Sequence, residues 1–204
     1  TIDNDIIGTD HTPGYGCAAK YIATTMQEIL YDTDVYTTKA VTVVELMGRD
    51  TGWLTAASAL GRICGGKSPD LVYLPERVFS MENFFHDIVT VFSRKPNAVV
   101  AVSEGLRFED GRYVGEGVQS GNVDAFGHRA LSGTGKSLEI ALRERFGCKA
   151  RSVELNLPQR CASHLLSACD INESFGVGNA AVSAALQGVS RDMMVILRDG
   201  EDDG

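Results

Sequence analysis

The chain has 204 residues, 44% of them hydrophobic and 23% charged, with a formal net charge of −8. That length and mix suit one large soluble domain with its own core, and they exclude a disordered chain or a membrane span. The acidic balance and the lack of a basic stripe exclude an extended nucleic-acid surface, but leave room for a basic pocket holding an anionic small molecule.

The opening run, TIDNDIIGTDHTPG, is rich in Gly, Thr and Pro and carries no signal-peptide pattern. Asp3 and Asp5 alternate, so in extended backbone they face one side. Two carboxylates there suit a general base and a Mg²⁺ ligand. An Asx-rich turn capping the next helix is the structural alternative.

Residues 13–30 place Ala18, Tyr21, Ile22, Met26, Ile29 and Leu30 at helical spacing. AVTVVELM at 40–47 then reads as a buried strand. MGRDTGW at 47–53 follows it directly, and an Ala-rich helix over 52–63 comes next. In an open α/β sheet, ligands bind where strands reach their carboxyl edge. Gly48 permits close backbone approach there, and Arg49 offers a planar fork for phosphate. A plain turn with a solvated Arg is the alternative.

DLVYLP at 70–75 is a second strand, and 81–93 is a helix with Phe84, Phe85, Ile88, Val89 and Phe92 on one face. NAVVAVSE at 97–104 is a third strand ending on Glu104, whose carboxylate can take sugar hydroxyls or cap a turn. Residues 104–131 break the alternation, with Asp110-Gly111 as a hairpin turn signal and a Gly-rich excursion after it. GTGKS at 133–137 has the tail of a phosphate loop but not its first Gly, since Ala130 stands there, so it reads as the first turn of a helix over 133–146.

ARSVELNL at 150–157 is a fourth strand, bracketed by Arg151 and Arg160. The pair suits a phosphate ester or forms solvated ion pairs. Helices over 160–168 and 173–188, and a fifth strand MMVILRD at 193–199, complete the pattern. The tail EDDG reads as a solvated end. Strands alternating with helices of this length predict an α/β fold: a mostly parallel sheet with helices on both faces. Cys17, Cys64, Cys148, Cys161 and Cys169 are odd in number and form no CxxC pair. They read as reduced thiols in a cytoplasmic protein, not as a disulfide or zinc framework.

Asp3, Arg49, Glu104 and Arg160 share one kind of place, beside strand ends. That layout favours a polyol phosphate over an apolar ligand. TIDNDI, then VVELMGRDTGWL some forty residues on, then strands ending in SEG and QR, resembles the phosphofructokinase family in order and spacing over nearly the whole chain.

The resemblance implies phosphoryl transfer from pyrophosphate or ATP, with Mg²⁺, to the 1-hydroxyl of fructose 6-phosphate, a glycolytic step. It implies Asp3 as general base, Thr1 beside the transferred phosphoryl group and Asp5 as the Mg²⁺-associated carboxylate. Met47, Gly48 and Arg49 match the sugar-binding MGR, whose Arg also faces the phosphoryl group. Glu104 matches the carboxylate holding sugar hydroxyls, Arg160 a 6-phosphate ligand, and Arg151 an arginine reaching the 6-phosphate across a subunit interface of a homo-oligomer.

Two departures bear on the donor. Bacterial ATP-dependent members carry His where Leu157 stands, and a second cross-subunit Arg falls near Ala40, with Lys39 beside it. NLPQRCASH and the DAFGH-containing insertion lean towards the pyrophosphate-dependent branch. The resemblance makes residues 1–190 the fructose 6-phosphate lobe, with an excursion at about 105–131. Residues 191–204 then start the return to a donor lobe outside the chain. On that reading the chain alone binds sugar phosphate weakly and does not turn over. A non-catalytic sugar-phosphate sensor or regulatory subunit is the alternative, and a generic nucleotide-binding domain a weaker one.

Overall fold

The structure, a computed structural model, describes residues 6–116 and 133–199. Thr1, Asp3 and Asp5 therefore lie outside the described residues, as do most of the Gly-rich excursion and the acidic tail.

The elements in chain order are α1 (Tyr15–Asp34), β1 (Ala40–Leu46), α2 (Trp53–Ala57), β2 (Leu71–Tyr73), α3 (Met81–Phe92), β3 (Asn97–Ser103), α4 (Thr134–Phe146), β4 (Lys149–Glu154), α5 (Pro158–Cys161) and α6 (Ala168–Leu186). The four strands make one parallel sheet in the order β2-β3-β1-β4. β1 and β3 are buried along their whole length. That is why AVTVVEL and NAVVAVS read as continuous apolar runs instead of alternating ones.

Alternation along the strands splits the core into two layers. On one face Val41, Val43, Val100 and Val102 pack with Phe84 and Ile88 of α3 and Leu138 and Leu142 of α4. On the other, Val44, Leu46, Val99 and Ala101 pack with Ile22, Met26 and Leu30 of α1. Helices thus cover both faces, as the pattern of elements predicts.

Local chemistry sets the ends. Ser80 caps α3 by accepting the Asn83 N–H. α1 has no cap from its own side chains. The buried carboxylate of Asp170 in α6 accepts the Cys17 N–H instead, and its charge suits that helix start. The Asp110-Gly111 turn is present, with Phe108 N–H bonded to Arg112 C=O at 3.0 Å and a single antiparallel bridge between Arg107 and Tyr113.

Four sequence expectations need correction. The expected helix over 52–63 is only α2 and a 3-10 turn, Leu60–Arg62. Residues 193–199 form no strand of the sheet. Ile196 makes one antiparallel bridge to His11, and within this run Ile196 bonds to Thr9 and Asp10 while the Arg198 N–H donates to Asp10 Oδ2. The expected helix over 160–168 is only α5 and a 3-10 turn, Ser163–Leu165, and α6 starts earlier than expected, at Ala168. Arg151 does not bracket β4. It is the strand's third residue, in register with Thr42 in the middle of β1.

Candidate functional site

The carboxyl edge of the sheet gathers segments far apart in sequence. After β1 the chain enters the MGR turn, and after β3 the Glu104-Gly105 turn. β1 and β3 run in register from Ala40 with Asn97 to Leu46 with Ser103, so both turns leave at the same level.

The two turns are locked together. Glu104 N–H donates to Leu46 C=O at 2.9 Å, and Gly48 N–H donates to Glu104 Oε1 at 3.1 Å. The Ser103 hydroxyl donates to Gly48 C=O, and Gly105 N–H donates to Ser103 Oγ at 3.2 Å. Both glycines are required. Gly48 has φ +145°, and a Cβ there would meet Thr51 C=O at 2.5 Å. A Cβ on Gly105 would lie 1.8 Å from Arg49 C=O.

Behind the MGR turn lies Gln159 of α5, fully buried, whose Oε1 is 3.4 Å from the Met47 N–H. The next residue, Arg160, is exposed. Arg49 is exposed as well. Burial pushes the Glu104 carboxyl up from the ordinary carboxylate range, opposed by the Gly48 N–H and by the charges of Arg49 and Arg160. A half-buried carboxylate acceptor thus lies within the field of two exposed guanidinium groups. Such a group can accept hydroxyl hydrogens while the arginines hold an anionic ester.

The structure therefore brings together Met47, Gly48, Arg49, Glu104 and Arg160. It does not bring Arg151 to them. That side chain donates to Thr42 Oγ1 at 3.1 Å, pairs with Asp32 and stacks over the Tyr36 ring.

Four contributors were not picked out from sequence: Ser103, Gly105, Gln159 and Glu45. Glu45 lies on the face of β1 that carries Val41 and Val43. It is fully buried and accepts Gly133 N–H at 3.2 Å and Gly135 N–H at 2.6 Å. One signal was available for it, a lone carboxylate inside a buried apolar strand. GTGKS does open a helix, as expected, and the partner of its first N–H groups is this carboxylate.

Comparison with known proteins agrees with the geometry. The phosphofructokinase family model matches residues 1–183. The chain is 38% identical over 200 residues to a pyrophosphate--fructose 6-phosphate 1-phosphotransferase of Halomonas elongata, covering 97% of this chain and 47% of that protein. It is 33% identical over 199 residues to a sulfofructose kinase of Alkalicoccus urumqiensis, covering 97% of this chain and 50% of that one. The crystal structure of a pyrophosphate-dependent phosphofructokinase from Marinobacter aquaeolei superposes with a TM-score of 0.74 at 32% identity, over 98% of this chain and 46% of that one. The chain thus spans about half the length of the relatives it matches. With the MGR turn, the SEG turn and the QR helix meeting at one sheet edge, and a family match across residues 1–183, the chain belongs to the phosphofructokinase family.

Proposed function

We propose that this chain carries the sugar-phosphate side of a phosphofructokinase active site. The acceptor is fructose 6-phosphate and the reaction is phosphoryl transfer to its 1-hydroxyl, with pyrophosphate favoured as donor over ATP. The observation that carries this is the coupling of Gly48 N–H to Glu104 Oε1, with Arg49 and Arg160 beside that carboxylate. The names of the relatives support the donor preference.

Phosphoryl transfer needs positioning and charge neutralisation more than covalent help. Glu104, fixed by the Gly48 N–H, accepts the sugar hydroxyls and orients the ring. Arg160 pairs with the 6-phosphate. Asp3 takes the proton of the 1-hydroxyl as its oxygen bonds the phosphorus and the bond to the donor's leaving phosphate breaks. Thr1 sits beside the group in transfer, and Arg49 offsets charge on its equatorial oxygens. Asp5 is the proposed ligand of Mg²⁺, and a carboxylate oxygen is the hard donor that ion takes. When bound, Mg²⁺ would neutralise donor phosphate oxygens. Arg151, away from this cluster, fits the role of a ligand offered to a neighbouring subunit in a homo-oligomer.

The test is calorimetric titration of the chain with fructose 6-phosphate, and with sulfofructose beside it. Saturable binding of fructose 6-phosphate that Arg160→Ala abolishes, and that Glu104→Gln weakens, is expected. Binding that neither substitution alters would overturn the assignment. Preference for sulfofructose would move the acceptor.

A further inference from the structure

Glu45 is not among the groups that would touch substrate, yet it occupies the centre of the molecule. It is 2% exposed, on an inner strand of the sheet, one residue before the last of β1. A carboxylate this deep needs compensation. Its two oxygens are divided between the Gly133 and Gly135 N–H groups, so the first turn of α4 hangs on it. From that same turn, the Thr134 hydroxyl donates to Glu104 C=O at 3.0 Å. Glu104 in turn holds Gly48. The Glu45 carbonyl also accepts the Leu155 N–H at 3.1 Å, where the chain leaves β4 towards Gln159 and Arg160. One residue therefore ties the starting points of all the site's segments.

Resting on the function proposed above, we propose that Glu45 is a positioning residue for the sugar-phosphate site. Its carboxylate pins the first turn of α4 and, through Thr134, holds Glu104 and Gly48 where they meet the sugar.

The arrangement is charge-sensitive. Charges near Glu45 are Glu154, its register partner on β4, and Glu104 after β3, both acidic. On α4, Lys136 and Arg143 are both paired with Glu139. Burial pushes Glu45 up to about 7, against the Gly135 N–H, with Glu154 adding to the rise, the Gly133 N–H opposing it and Glu104 adding again. Protonation puts a hydrogen on one oxygen and weakens it as an acceptor for one of the two N–H groups. The ionised form, which engages both, is the one that orders the turn.

The experiment follows backbone amide resonances of Gly48, Glu104 and Gly135 in the ligand-free chain from pH 5.5 to 8.5. All three are expected to titrate with one midpoint near 7. Glu45→Gln removes the component with that midpoint at all three, leaving at Gly48 and Glu104 only what the Glu104 carboxyl itself contributes. Glu154→Gln, which takes away one neighbouring charge, lowers the midpoint. Fructose 6-phosphate titrations in parallel are expected to show affinity about tenfold weaker for Glu45→Gln at pH 8, as a small misplacement of binding groups implies. The wild-type gain with pH relative to that variant is absent when Glu45 cannot ionise, and the comparison cancels the ionisation of the sugar phosphate itself. Amides of Gly48 and Glu104 that ignore Glu45→Gln would overturn the proposal. If that variant does not fold, Thr134→Val cuts the link instead, and Gly48 and Glu104 amides that follow the Gly135 midpoint in it as in wild type overturn the proposal. Amides that behave as expected in a chain that binds no sugar phosphate would support the positioning role and defeat the functional reading instead.

Discussion

Replacing Gly105 by Ala tests the geometry of the site with one methyl group. The new Cβ would start 1.8 Å from Arg49 C=O, 2.5 Å from the Arg49 carbonyl carbon and 2.7 Å from Gly48 C=O. All three are backbone atoms, so no flexible side chain can give way. Ordinary contact begins at 3.4 Å, and the MGR turn must retreat by roughly the difference, about 1.6 Å. Overpacking of this kind costs about 1–3 kcal/mol. For a chain this size that lowers the melting temperature by about 2–12 °C. Displacing Arg49 by more than about 1 Å is expected to weaken fructose 6-phosphate binding by up to about a hundredfold. Gly176→Ala is the control. It lies inside α6 with nothing within 4 Å of the added Cβ, so the same chemical change gains helix propensity worth about 0.5–1 kcal/mol. Thermal melts of the two variants are therefore expected to move in opposite directions, and only Gly105→Ala is expected to weaken binding. A Gly105→Ala chain that melts like wild type, or rises with Gly176→Ala, would refute the close approach of the two turns.

The remaining predictions concern buried charge. A Glu45 carboxyl that ionises near 4.5 in the unfolded chain and at about 7 in the fold favours the protonated native state. Its stabilising contribution is full below pH 4.5 and is withdrawn as pH rises to 7, by about 3 kcal/mol. Denaturant melts of wild type against Glu45→Gln should show that slope in the first and not in the second, and equal slopes would refute it. Asp170→Ala removes the acceptor at the start of α1 and is expected to cost about 1–3 kcal/mol. Hydrogen exchange should show the Cys17 amide losing protection first, and unchanged exchange there would count against Asp170 as the cap.

Much of the fold was legible from local pattern, because burial on both faces makes β1 and β3 unbroken apolar runs and one-sided burial gives α3 its period. The run 193–199 misled for the same reason. It is apolar enough for a strand, but Met193 and Leu197 stay exposed and the ladder it needs is not there among the described residues. MGR, Glu104 and Arg160 were proposed from motif and place, and the structure gathers them at one edge of the sheet. TIDND lies outside the described residues, so Asp3 and Asp5 rest on sequence alone.

The amino-acid sequence by itself determined the class of fold and the family, and it pointed to the groups proposed to hold a sugar phosphate, since these reside in short periodic or motif-bearing stretches. Only the tertiary structure decided that Gly105 must be glycine, that Arg151 stands apart with Asp32, and that Glu45 anchors α4. The physical reason is distance along the chain. Residues 45, 104, 133–135 and 160 meet because the strand order β2-β3-β1-β4 carries their turns to one edge, and no local periodicity encodes which strand lies beside which.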